Sequence, residues 1–314
     1  MRKIGILSTS SIAPRFIAAV REEGSFRVIA LSSRTQEKAE EKARAWDIPK
    51  AYGSHEALLQ DKDVDIVYIS AVNSAHYKWA KAALLAGKHV ICEKPCTTTE
   101  AQTRELFALA KEKNLFLMEA QKMLFLPAVL AAKQAIDEVR LGKIRMAEFN
   151  HSFYGSYNNW MYDEAAGGGP LLSSAIYVVE LLQFLFGCKI AQIDGICTKH
   201  PGTNVEEQYV LSGRMENGVL FSLKNSTVAL LKNGAAIYGE KGYVEIPDYW
   251  KARKVIFCDH TETVTEEYPC DHELRYEVAH IADCFEKGLL QSPVVTGEFS
   301  AAAIAALESV KAKW

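Results

Sequence analysis

A chain of 314 residues, about half apolar and a quarter charged, is long enough to bury one or two sizeable cores without disulfide staples. Its formal net charge of −3 argues against nucleic acid or an anionic membrane as a main partner, because both call for concentrated positive charge. Nowhere do about 18 uninterrupted apolar residues occur, the apolar run that ends at Leu7 is too short for a signal peptide, and the seven cysteines are odd in number with no CxxC pair; a cytoplasmic protein with reduced thiols is expected.

The first third alternates strand and helix patterns. Lys3 to Leu7 reads as a strand, and Ile12 to Arg21 as a helix with Ile12, Phe16, Ala19 and Val20 on one face. Arg27 to Ser32 is a second strand, Thr35 to Trp46 a charged helix, and Ser54 to Gln60 a short one. The apolar run Asp65 to Ser70 predicts a strand, followed by a helix from Ser74 to Ala86 that Gly87 closes. His89 to Cys92 is the next strand, Glu100 to Lys113 a helix, and Leu115 to Glu119 a further strand. This alternation predicts a parallel sheet covered on both faces, a doubly wound α/β domain over residues 1–121.

Beyond Gln121 the rhythm changes. Leu126 to Arg140 reads as a helix, Lys143 to Tyr154 as a strand, and Ala165 to Gly187 as a glycine turn feeding a long helix. From Ala191 the patterns are mostly strands. Asn217-Gly218 is a two-residue hairpin turn, and Gly239 to Gly242 separates two more strand runs. Residues 122–314 are therefore expected to form an α+β domain with a mostly antiparallel open sheet, closed by a helix from Glu298 to Lys313 that is free to pack back on the first domain.

Three segments carry chemistry. After the first strand, where a dinucleotide fingerprint would read GxGxxG, the chain has Ser8-Thr9-Ser10-Ser11-Ile12-Ala13. The glycines are replaced, but a turn of small hydroxyl residues still leads into a helix whose amides can face phosphate; an ordinary serine cap is the alternative. At the end of the second strand, NAD-binding chains usually carry a carboxylate for the ribose 2′-hydroxyl. Here stand Ser32-Ser33-Arg34, with Thr35 and Lys38 nearby, a set that favours the 2′-phosphate of NADP over NAD. At the carboxyl ends of the later strands lie Asn73, His76 and Glu93-Lys94-Pro95, where ligands of open parallel sheets bind. A lysine beside a glutamate there is a candidate for a charge-tuned catalytic group.

The order of Ala71-Val72-Asn73-Ser74-Ala75-His76, Ala86-Gly87-Lys88-His89-Val90 and Glu93-Lys94-Pro95 resembles the glucose–fructose oxidoreductase and inositol dehydrogenase family. The branch it resembles most is that of the dimeric dihydrodiol dehydrogenases and NADP-dependent sugar dehydrogenases. Phe116 to Ala120, Phe125-Leu126-Pro127 and Gly239 to Tyr243 extend the likeness over nearly the whole chain. The resemblance implies that Asn73, His76, Glu93 and Lys94 surround the nicotinamide, with Lys94 as the active-site lysine.

It also aligns Gly167-Gly168-Gly169-Pro170 and the helix after it with the family's substrate segment, where an aspartate and a tyrosine reach the substrate beside the lysine. Tyr177 matches that tyrosine; Ser173 replaces the aspartate, and Ala175 a family glycine. Trp160 stands where the family often has tryptophan. The implied activity is hydride transfer between NADP(H), or else NAD(H), and a carbon bearing a hydroxyl or carbonyl on a sugar, polyol or cyclic diol. Lys94 and Tyr177 would be catalytic, Trp160 and Ser173 would line the substrate, and no metal would be bound. The implied partners are a small-molecule substrate and a second copy docked through the second-domain sheet, with no nucleic acid or membrane. A dinucleotide-binding sensor of the same fold is the alternative.

Overall fold

The computed structural model describes residues 1–153 and 159–314. The chain divides into two compact units, Met1–Gln121 with His272–Ala301, and Lys122–Asp271 with Ala302–Trp314.

In the first unit six strands, β1 Arg2–Leu7, β2 Phe26–Ser32, β3 Lys50–Tyr52, β4 Ile66–Ile69, β5 His89–Glu93 and β6 Leu117–Ala120, form one sheet in the order β3-β2-β1-β4-β5-β6. All pairs are parallel. The order reverses beside β1, which places a crevice at the carboxyl ends of β1 and β4. Between the strands run α1 Ala13–Glu23, α2 Gln36–Ala45, α3 His55–Gln60, α4 Asn73–Leu85 and α5 Glu100–Glu112. The central strands are buried on both faces: Ile4, Ile6, Leu7, Ile66, Val67, Tyr68, Ile69, Val90 and Ile91 are fully covered, which is why they read as continuous apolar runs. Gly24, with φ of +85°, ends α1, and Gly87, with φ of +74°, follows α4, in the left-handed conformation that a helix terminus favours.

The second unit opens with α6 Pro127–Asp137, β7 Ile144–Ser152 and α7 Ile176–Phe186, then seven strands: β8 Ile190–Lys199, β9 Glu206–Met215, β10 Leu220–Ser226, β11 Gly234–Gly239, β12 Gly242–Pro247, β13 Lys254–Asp259 and β14 Thr263–Glu267. Together with β7 they form an eight-stranded sheet, β14-β13-β12-β11-β7-β10-β9-β8. Every pair is antiparallel except β7 with β10. Asn217-Gly218 makes the β9–β10 hairpin, with Gly218 at φ +90°. Tyr154, the expected end of β7, lies outside the described residues.

Alternation along β7 and β10 sends Ala147, Phe149, Phe221 and Leu223 inward; the other face carries Met146, Leu220, Val210 and Ile196, all exposed. After β14 the chain gives α8 Arg275–Glu286 to the first unit, then α9 Gly297–Lys311. The sequence pattern reads 122–314 as one domain whose last helix is free to pack back; in the folded chain residues 272–301 group with the first unit and Ala302–Trp314 with the second. No described helix is long and apolar enough to cross a membrane.

Candidate active site

The turn after β1 keeps a glycine-like shape without a glycine. Ser8 has φ of +84°, a left-handed backbone that costs an L-residue roughly 1–2 kcal/mol. Ala13, at the third fingerprint position, is fully buried at the start of α1, so a methyl group still permits close helix–strand packing. No side chain caps α1, which sets aside the serine-cap alternative. Ser10 Oγ and, just beyond β4, Ser70 Oγ are buried hydroxyls with no hydrogen-bond partner. Stranded donors of this kind are rare in folded proteins. They sit beyond the adjacent strands β1 and β4, where a dinucleotide phosphate belongs, so the residues present fit that group. Ser11 is exposed and Ile12 half-buried.

At the end of β2, Ser33 is buried and its N–H donates to Tyr52 O at 3.0 Å. Arg34 and Lys38 are exposed. Thr35 Oγ1 accepts the N–H of Lys38 at 3.3 Å and thereby starts α2.

The ends of β4, β5 and β6 are tied together. His76, buried in the first turn of α4, has Nδ1 at 2.8 Å from Pro95 O and Nε2 at 3.0 Å from Ala71 O. A neutral ring donates to only one of these at a time. Burial pushes its pKa below the usual histidine value, more than the two carbonyls raise it. Tyr68, wholly buried on β4, donates its hydroxyl to Glu93 Oε1 at 2.5 Å, while its ring stacks on Phe16 at 3.7 Å. Glu119 on β6 accepts the N–H of Cys96 at 2.9 Å. Half-buried Lys94 therefore stands in a short loop held by side chains from β4, α4 and β6, and its peptide bond to Pro95 is cis. The structure thus brings Asn73, His76, Glu93 and Lys94 to neighbouring strand ends within one unit.

In the second unit the glycine turn is clamped. Gly168 and Gly169 donate backbone N–H groups to Asp163 O and Met161 O at 2.9 and 2.8 Å, so the segment bearing half-buried Trp160 folds against the turn. Gly169 has φ of +102°, and a Cβ there would sit 2.3 Å from Glu206 Oε1, so any side chain at this position would strain the backbone and displace the Glu206 carboxylate. Glu206 accepts the N–H of Leu171 at 2.7 Å, and its burial raises its pKa above the usual carboxylate range.

Leu171–Ala175 is a π-helical turn, and the regular α7 begins only at Ile176; the sequence pattern predicts one continuous helix. Such underwound turns are frequent at functional sites. The Ser173 hydroxyl donates to Gly169 O at 2.7 Å, a local bond that the family aspartate could not make. Tyr177 is half-buried one residue into α7. The sequence singled out neither Tyr68, which reads as core, nor Glu206, which reads as surface charge.

A family described as an oxidoreductase family with a NAD-binding Rossmann fold matches residues 2–121, and the GFO/IDH/MocA C-terminal domain matches residues 129–245. Among curated proteins, trans-1,2-dihydrobenzene-1,2-diol dehydrogenase of Sus scrofa is 31% identical over 303 residues, covering 93% of this chain and 90% of its own length. The chain belongs to the GFO/IDH/MocA oxidoreductase family. The mouse dihydrodiol dehydrogenase is 32% identical over 305 residues, with the same coverage. Two solved structures of this family's fold superpose closely. An aldose-aldose oxidoreductase from Caulobacter crescentus has a TM-score of 0.89 at 23% identity, covering 98% of this chain and 96% of its own. A 3-ketoreductase from Actinomadura kijaniata in complex with NADP and TDP-benzene reaches 0.91 at 23% identity, covering 99% and 97%. The protein is an oxidoreductase of this family, with a Rossmann unit and a mostly antiparallel second sheet.

Proposed function

We propose that the protein is an NADP-dependent dehydrogenase that moves a hydride between the coenzyme and a hydroxyl- or carbonyl-bearing carbon of a sugar, polyol or cyclic diol. The observation that carries this reading is the anchored loop at Glu93-Lys94-Pro95, beyond the carboxyl end of β5, in a sheet whose order reverses beside β1. The absence of a carboxylate at Ser32-Ser33-Arg34 supports NADP over NAD, and relatives named dihydrodiol dehydrogenase support the substrate class.

When bound, the coenzyme supplies the hydride chemistry. Ser8, Ser10, Ser11 and Ile12 would hold its phosphates, Ser33, Arg34 and Lys38 its ribose phosphate, and Asn73, His76, Glu93 and Lys94 would face its nicotinamide. Oxidation of an alcohol requires a base for the hydroxyl proton, and reduction requires the matching acid. Tyr177 is that group. Lys94 would orient the substrate oxygen beside the coenzyme through its positive charge. Trp160 and Ser173 border the substrate. Exposed Met146 with Leu220, and Val210 with Ile196, make two apolar pairs on one face of the second sheet, and that face would carry a two-fold contact between copies.

The test is titration of the purified protein with NADPH and NADH, followed by an absorbance assay over aldoses, polyols and diols. Lys94→Ala is expected to lower kcat by at least about a hundredfold while leaving NADPH affinity within a few-fold. A fully active Lys94→Ala enzyme would refute the mechanism.

A further inference from the structure

The carboxyl end of β2 is richer in cationic groups than the run Ser32-Ser33-Arg34 alone suggests. The ring of His55, the first residue of α3, is tethered by Nδ1 to Ser32 Oγ at 2.8 Å, so it lies beside the last residue of β2. It packs nearly at right angles to Trp79 on α4, with ring centroids 4.8 Å apart and planes at 83°. The neighbouring Lys78 holds its Nζ 4.5 Å from the centre of the same indole. A chain of contacts therefore runs from β2 through α3 to α4 and ends on an exposed ammonium group. Arg34 completes the group from the loop after β2.

The electrostatics agree with this convergence. Burial of the His55 ring holds its pKa below the usual histidine value, Lys78 and Arg34 push it further down, and Glu56 opposes them. Two permanent positive charges thus act on one half-buried imidazole, opposed by the carboxylate of Glu56. Such a patch is unfavourable while empty of anions and becomes favourable once a multiply charged anion enters it. A phosphate monoester carries between one and two negative charges at neutral pH and three acceptor oxygens, which matches one guanidinium, one ammonium and one ring N–H.

We infer that His55 and Lys78 join Arg34 as ligands of the coenzyme's 2′-phosphate, so that three elements read that group and set the preference for NADP. The inference rests on the coenzyme reading above and goes beyond it, because neither residue lies in the segment from which that preference was drawn. A consequence follows from the histidine. A dianion placed beside the ring favours its protonated form, so binding of the 2′-phosphate draws a proton onto the ring, whereas binding of a ligand without that phosphate does not.

The experiment uses the whole protein with 2′,5′-ADP and 5′-AMP as probes in isothermal titration calorimetry, which needs no turnover. Runs in two buffers of different ionisation enthalpy report proton uptake. The wild type is expected to bind 2′,5′-ADP at least tenfold more tightly than 5′-AMP and to take up a fraction of a proton only with the former. Lys78→Ala and His55→Asn should each weaken 2′,5′-ADP five- to tenfold and leave 5′-AMP within twofold. Lys78→Arg should restore affinity, which a merely misfolded site would not allow, and His55→Asn should abolish the proton uptake. If the wild type prefers 2′,5′-ADP and both variants keep that preference in full, His55 and Lys78 are not ligands and this inference fails alone. If the wild type shows no preference, the NADP reading fails and takes this inference with it.

Discussion

Replacing Tyr68 by Phe removes one oxygen from the centre of the first unit and tests whether the core controls the Lys94 loop. The ring stays stacked on Phe16 at 3.7 Å, so no cavity opens. What disappears is the hydroxyl that donates to Glu93 Oε1 at 2.5 Å. Hydrogen bonds to charged groups contribute about 1.5–3 kcal/mol. Because Glu93 is half-buried and recovers some hydration, the lower end, about 1.5 kcal/mol, is expected. In a unit of roughly 150 residues that lowers Tm by about 3–6 °C. Calorimetry measures the loss, and steady-state kinetics measures its consequence: kcat should fall about tenfold as the loop loosens, with 2′,5′-ADP affinity within twofold. A Tyr68→Phe protein within about 0.3 kcal/mol of wild type, with unchanged kcat, would refute the idea that this bond holds the loop.

Other outcomes follow from single contacts. Ser8→Gly relieves a positive φ and should stabilise the protein by about 1 kcal/mol, read as an upward shift in the urea midpoint; a destabilised variant would show that the serine side chain outweighs its backbone. Ser173→Asp sets a carboxylate against Gly169 O, where a donated bond now stands, and should cost about 1–3 kcal/mol; equal stability would contradict the local role given to Ser173. His76 has a folded pKa below its unfolded value, so the unfolded chain binds the proton first on acidification. Its contribution is complete above about pH 6.5 and declines as pH falls, by at most about 1.4 kcal/mol per unit. His55, His89 and His280 shift the same way. Urea unfolding at pH 7.5 and 5.5 should show the loss, His76→Gln should reduce it, and a protein more stable at pH 5.5 would contradict the assignment.

The parallel sheet was legible because its strands are buried on both faces and flanked by helices of clear period. β1, β2, β4, β5 and β6 stand within about two residues of the patterns that announce them. β3 escaped notice because Lys50-Ala51-Tyr52 is short and half-buried, with no apolar run to mark it. α8 was missed among strand-like patterns. Its place is decided by packing, with the ring of Phe285 against Phe26, His89 and Phe116, contacts more than 160 positions apart that no local pattern encodes. In the candidate site, the motif order pointed to His76 and Lys94 because their spacing is local. The supports were hidden, since Tyr68 lies in an apolar strand and Glu206 beside a second glutamate, and only the folded chain distinguishes a clamp from a solvated charge.

The return of residues 272–301 to the first unit has a consequence for biosynthesis. β6 closes one edge of its sheet, and its Leu117 N–H donates to Leu290 O at 3.0 Å. A ribosome that has finished β6 still lacks that partner and the aromatic cover supplied by Phe285. At about 5–20 residues per second the wait lasts roughly ten to forty seconds, during which an apolar flank of the nascent sheet stays open to chaperones or to neighbouring chains. A fragment ending at Gln121 would keep that flank bare permanently.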